Sequence, residues 1–215
     1  MKYKKLLTTP LPRLFMISSG EADTDKGTLL FNQLNLLPES LPCMVQIREK
    51  RLAARELLIL TERARAIKLP AGSLLLCNER MDIALAAGLE GVHLPEGACR
   101  PDRLRTVAPV LIFGCSIHSL ASLRIAEEKA ADYLLFGPIF DTPSKRKYGA
   151  PQGLEKLGEI CRATSLPVFA LGGITPQNAA LCMDKGAYGT AGLSIFCDTL
   201  RLAETLEQFY RILYP

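Results

Sequence analysis

No stretch of the 215 residues is apolar for long enough to span a bilayer. Met1-Lys-Tyr-Lys-Lys5 has the charged start of a secretory signal, but Thr8, Thr9, Pro10 and Pro12 break the apolar segment that should follow. A cytoplasmic protein is the expectation. Charge of one sign is also missing: the formal net charge is only +4, with basic residues scattered among acidic ones. That argues against a nucleic-acid footprint and against a membrane-binding face. Paired Cys-x-x-Cys spacing is absent too, and seven cysteines is an odd number. Reduced thiols in a core fit better than a disulfide framework or a zinc site. Cys77 and Cys115 fall near expected strand ends, where they serve as small core hydrophobes or approach a ligand. Lys145-Arg146-Lys147 is the one basic cluster, either a solvated loop or a movable grip on an anion. Nothing resembles a linker or a low-complexity tract, so one domain over residues 1–215 is expected.

What the chain has in abundance is a repeated device, an amphipathic helix with a small-residue stop before a short apolar run. Met81 to Gly88 leads to Gly91-Val-His-Leu94, Ala126 to Ala131 leads to Tyr133-Leu-Leu-Phe136, and Ala179 to Gly186 leads to Gly189-Thr-Ala-Gly192. Glycine just past a helix end takes the left-handed cap cheaply. Extending the pattern gives eight strands: Leu14–Ser19, Cys43–Glu49, Ser73–Asn78, Gly91–Leu94, Leu111–Ile117, Tyr133–Phe140, Pro167–Gly173 and Gly189–Ser194. They are short and apolar without alternation, as parallel strands covered on both faces are. A last helix is expected from about Asp198, its N-cap, to Leu213, and Glu21–Lys26 reads as the first βα loop. Eight βα units in this length imply an α/β fold, a closed (β/α)8 TIM barrel, with an open doubly wound sheet as the fallback.

In such a barrel the chemistry sits where strands end. Gln46, Arg48 and Lys50 lie at the end of strand two, Asn78 and Glu79 at strand three, His93 at strand four, and Ser116 and His118 at strand five. Strand six runs into Thr142, Ser144 and Lys145. Gly172-Gly173 closes strand seven and Ala191-Gly-Leu-Ser194 closes strand eight, where bare N–H groups and a helix N-terminus suit a phosphate. A fork of arginine and a point charge of lysine suit phosphate or diphosphate. Bland alternatives exist for each residue: His93 as a hydrogen-bonded packing residue, Arg48 with Glu49 as a surface ion pair, Glu79 as a helix-start carboxylate, and the glycine pair as a tight turn.

Val45-Gln-Ile-Arg-Glu-Lys50, Gly114-x-Ser-x-His-Ser119, Ala131-Asp-Tyr-x-x-Phe-Gly-Pro-Ile-Phe-x-Thr142 and Ala170-x-Gly-Gly-Ile-Thr-Pro-x-Asn178 resemble the thiamine phosphate synthase and TenI superfamily. The resemblance covers nearly the whole chain and implies the same barrel. For a synthase it implies that Gln46, Arg48, Lys50, Asn78 and Lys145 hold the diphosphate of the hydroxymethylpyrimidine substrate. Ser116 belongs to the substrate-binding set. Thr142 and Ser144 would position a thiazole phosphate whose phosphate rests on Gly172, Gly173, Gly192 and Ser194. Arg48, Lys145 and His118 are the catalytic candidates. Magnesium (Mg2+) is implied for a synthase, with Glu79 and Glu96 as candidate ligands.

Three departures bear on that metal: Glu79 replaces an aspartate, the aspartate of a Gly-Gln-Glu-Asp run falls at Gly97, and Ser18-Ser19 stands where synthases have Thr-Asp. The Leu94-Pro-Glu-Gly97 stretch looks more like TenI-type thiazole tautomerases. These would use His118 as general acid and base and need no cofactor. A non-catalytic paralogue binding thiazole phosphate is a third reading. The expected partners are small-molecule phosphates, with no nucleic acid and no membrane, and a homodimer is left open.

Overall fold

The computed structural model describes residues 9–98, 100–142, 146 and 150–214. Its eight strands are parallel and close on themselves in chain order, the closed barrel expected and not the open sheet. They are β1 (Leu14–Ile17), β2 (Cys43–Ile47), β3 (Leu74–Asn78), β4 (Gly91–Leu94), β5 (Ile112–Ile117), β6 (Tyr133–Phe136), β7 (Val168–Leu171) and β8 (Gly189–Gly192). Closure is made by β1 against β8, with Leu14 opposite Thr190. Around them lie α1 (Ala22–Asp25), α2 (Thr28–Asn35), α3 (Ala54–Arg65), α4 (Met81–Ala86), α5 (Pro101–Leu104), α6 (Leu120–Glu128), α7 (Gly153–Ala163), α8 (Pro176–Asp184) and α9 (Leu202–Leu213).

Side chains alternate across each strand, so the barrel has two apolar layers. Phe15, Met44, Leu76, Tyr133, Leu135 and Phe169 fill the interior. Leu14, Val45, Leu75, Val92, Phe113 and Ala170 pack outward beneath the helices. Leu202, Leu206, Phe209 and Leu213 recur at helical spacing and give α9 its buried stripe. The expected glycine stops are left-handed, with φ +66° at Gly88 and +92° at Gly186. The third stop is made by Ala130 at φ +61°, a conformation that strains a residue with a Cβ.

Three expectations are corrected. The polar segment after β1 is not wholly a loop, because Ala22–Asp25 forms a turn of helix. Asp198 does not cap the last helix: its carboxylate accepts from Leu200 N, and the helix begins at Leu202. A 3-10 turn, Ser194–Phe196, and an irregular stretch precede it. Strand six is also shorter than expected. Pro138 brings no N–H to a ladder, and beyond it Ile139 and Phe140 donate to the carbonyls of Leu171 and Gly172.

Candidate active site

The C-terminal rim of β2 and β3 carries a continuous polar chain. Gln46 Nε2 donates to Asn78 Oδ1 at 2.8 Å, and Asn78 Nδ2 donates to Glu79 Oε2 at 2.8 Å. Lys50 Nζ lies 3.7 Å from the same carboxylate oxygen. A cleft of about 360 Å³ adjoins this chain, lined among others by Lys50, Asn78, Glu79 and Arg80. A larger cleft, about 660 Å³, lies at the opposite end of the barrel around Arg13, Pro167 and Tyr188, away from every candidate site residue. Arg48 is half-buried beside Gly20 and is paired with none of the described carboxylates.

Glu49 is the residue most underestimated by its sequence context. It is 4% exposed and not part of a surface ion pair. Its Oε1 accepts from Ser18 Oγ at 2.5 Å and Gly20 N at 3.2 Å, and its Oε2 from Ala22 N at 2.9 Å. Ser18 Oγ in turn accepts from Arg48 N at 2.8 Å. One buried carboxylate therefore ties the β1 loop to β2 and fixes the backbone that carries Arg48. The signal for this was weak, since Glu49 alternates with Arg48 and faces away from the mouth.

Inside the barrel, His93 Nδ1 lies 3.0 Å from Tyr133 Oη and His93 Nε2 lies 2.9 Å from Ser116 Oγ. The imidazole stacks on Tyr133 and meets the edge of Phe15. Burial, aided by the Arg48 charge, pushes its pKa down to about 3, so it is neutral at any ordinary pH. His93 is thus hydrogen-bonded and packed, as the sequence suggested. Gly114 has a packing role: a Cβ there would sit 1.9 Å from the Tyr133 ring. Ser119 of the same motif caps α6, accepting from Ser122 N at 3.1 Å.

His118, by contrast, is exposed at the rim. Its Nδ1 lies 2.9 Å from the Gly137 carbonyl, which can only accept, so Nδ1 carries the proton. Nε2 faces Glu96 Oε2 at 3.8 Å. Glu79 and Glu96 thus belong to separate pairs. Among the described residues no three His, Cys, Asp or Glu side chains are placed to hold a metal ion. Gly97 supplies no donor where the synthase pattern has an aspartate.

Gly172 and Gly173 take φ +100° and +65°. A Cβ on Gly172 would come within 2.5 Å of Pro138, and one on Gly173 within 2.7 Å of the Asp141 carbonyl, so the pair lets the β6 loop close over β7. Asn178 braces the turn, donating to Gly173 O at 3.0 Å and accepting from Thr175 N at 2.8 Å. Gly192 makes room for Ile195 and Phe196, with Ser194 exposed at the start of that turn. Thr142 is half-buried nearby, and Arg146 turns back onto Asp141 at 2.6 Å. Ser144, Lys145 and Lys147 lie outside the described residues. Cys77 and Cys115 point outward beneath the helices, their thiols pushed up to about 11 and about 12 chiefly by burial.

Residues 14–196 match a family model described as thiamine monophosphate synthase. A protein of Aquifex aeolicus provisionally named thiamine-phosphate synthase 2 is 43% identical over 191 residues, which cover 87% of this chain and 99% of that one. A thiamine-phosphate synthase of Methanoculleus marisnigri is 42% identical over 156 residues, covering 70% and 72%. Among solved structures, a thiamine phosphate pyrophosphorylase from Pyrococcus furiosus superposes with a TM-score of 0.78 at 28% identity, covering 94% and 95%.

Proposed function

The chain belongs to the thiamine monophosphate synthase family, and from that membership we propose that it joins hydroxymethylpyrimidine diphosphate to thiazole phosphate, releasing diphosphate and forming thiamine phosphate. The observation that carries this reading is the rim of β2 and β3, where Arg48, which meets no described carboxylate, and the Lys50 ammonium flank the hydrogen-bonded Gln46–Asn78 amides. In the reaction the C–O bond to diphosphate breaks with its electron pair leaving on oxygen. The thiazole nitrogen then supplies the pair for the new C–N bond. Negative charge grows on the leaving group, and fixed cations beside it stabilise that growth more than the ground state. Arg48 and Lys50 serve this role, joined by Lys145. The N–H groups of Gly172, Gly173 and Gly192, with Ser194, receive the thiazole phosphate, and Thr142 and Ser144 position it. The chain works as one domain in the cytoplasm on small phosphates, without nucleic acid.

Magnesium belongs to a synthase, but the described donors do not form a two-carboxylate site for it. Glu79 is engaged by Asn78 and Lys50, Glu96 faces His118, and an ion that demands tight octahedral geometry tolerates displaced ligands poorly. One observation favours a second reading: the Glu96–His118 pair, with the histidine proton fixed on Nδ1 by Gly137, is built to exchange a proton at Nε2. That would suit tautomerisation of a thiazole carboxylate phosphate. Incubating both substrates with magnesium, beside a chelator control, tests the first reading. Thiamine phosphate is the expected product. Its absence, with thiazole phosphate still bound, overturns the synthase, and loss of tautomerisation in His118→Ala would then establish the second.

A further inference from the structure

Ser116 can be given a direction by following hydrogens through the barrel core. Tyr133 is fully buried, and burial raises its pKa well above 10, so it keeps its hydrogen. Its hydroxyl lies over Gly114, which has no polar side chain, and among the described residues its one hydrogen-bond partner is His93 Nδ1. If Nδ1 carried the imidazole proton, the tyrosine hydrogen would be a buried donor with nowhere to go, which native interiors avoid. The tyrosine therefore donates and Nδ1 accepts. A neutral imidazole with a bare Nδ1 carries its proton on Nε2, and Nε2 is 2.9 Å from Ser116 Oγ.

We propose that Tyr133 and His93 form a one-way relay, Tyr133 Oη–H to His93 Nδ1 and His93 Nε2–H to Ser116 Oγ, that turns the Ser116 hydroxyl hydrogen away from His93 and into the barrel mouth as a donor to substrate. Ser116 Oγ has no other partner among the described residues. One of its two lone pairs is taken from below, and Nε2–H cannot accept, so its own hydrogen is left for the mouth. Each bond in the chain polarises the next, which strengthens the terminal donor. Tyr133 and His93 are positioning residues that act through Ser116. That the acceptor is a substrate atom rests on the synthase reading; the direction of the relay does not.

The chain has only two histidines, and they are built as opposite tautomers, since His118 holds its proton on Nδ1 against the Gly137 carbonyl. A two-bond proton–nitrogen correlation spectrum of histidine-labelled, substrate-free protein reads both directly. His93 should show its proton on Nε2 with Nδ1 bare, and a Tyr133→Phe protein should lose that preference. A proton on His93 Nδ1 in the unsubstituted protein overturns the proposal whatever the enzyme does. With turnover as the readout, Ser116→Ala and Tyr133→Phe should each lower kcat, by about tenfold to a hundredfold for the first. Adding Tyr133→Phe to Ser116→Ala should cost nothing further. Full additivity would mean that Tyr133 acts through packing, and the relay would be wrong. If neither substitution can be assayed because no product forms at all, the synthase reading has failed, and the spectrum still decides the relay.

Discussion

Two arginines, one at each end of the barrel, show how the same side chain is put to different ends. Arg105, at the N-terminal end, is 5% exposed. It bonds Asp132 at 2.6 Å, the carbonyls of Ala130 and Leu111, and stacks over Phe113. Asp132 also accepts from Phe113 N at 2.8 Å, so the pair welds α5 to the starts of β5 and β6. Arg48, at the C-terminal end, is half-buried and meets no described carboxylate. Its backbone is pinned through Ser18 and Glu49 while its guanidinium is left open. A charge closed on protein contributes to folding; a charge held in place but paired with no described carboxylate is the one the proposed function assigns to an anion.

The sharpest way to break that contrast is Asp132→Ala. It strands a buried guanidinium, a loss of about 3–5 kcal/mol, and denaturant unfolding should show it while turnover per folded molecule persists. Unchanged stability would mean the pair is idle. Next is Arg48→Ala, which should lower kcat/KM by about 10²–10³-fold and leave the unfolding midpoint in place. Steady-state kinetics check it.

His93 tests the boundary between the two ends, being neutral in the fold with a pKa of about 3 against an ordinary 6.5. The unfolded chain takes the proton first, so stability is fully present above pH 6.5 and is lost as pH falls towards 3. About 2 kcal/mol should be gone by pH 5. Urea titrations at pH 7 and pH 5 measure this loss, and His93→Gln should remove that part of it. The smallest effect belongs to Ala130, whose left-handed backbone costs roughly 1 kcal/mol. Ala130→Gly should raise the melting temperature slightly, and a fall would show that the strain is illusory.

The barrel was legible because its signal is local. Most of the strands are short, largely apolar runs set between helical segments, and burial on both faces requires that pattern. The candidate site was legible in its residue types to this extent: Gln46, Arg48, Lys50 and Asn78 lie at adjoining strand ends, and three of them join in one polar chain. Other features depend on partners far away in sequence. Glu49 looks like a neighbour of Arg48 but belongs to Ser18 and Ala22. Gly114 opens the Gly-x-Ser-x-His-Ser119 motif for a reason outside it, the space that Tyr133 fills. Asp132 stands inside the Ala131-Asp-Tyr motif, but nothing there points to its partner Arg105. The break of α9 at Leu202 was missed for a related reason, because Asp198 has a cap's chemistry but spends it on a turn.

Arg48→Ala, with thiamine phosphate formation and the melting curve recorded on one preparation, tests the division of labour most directly. The account predicts a fall in kcat/KM of about 10²-fold or more with an unshifted melting curve. Retained turnover, or activity lost only in step with unfolding, would contradict it.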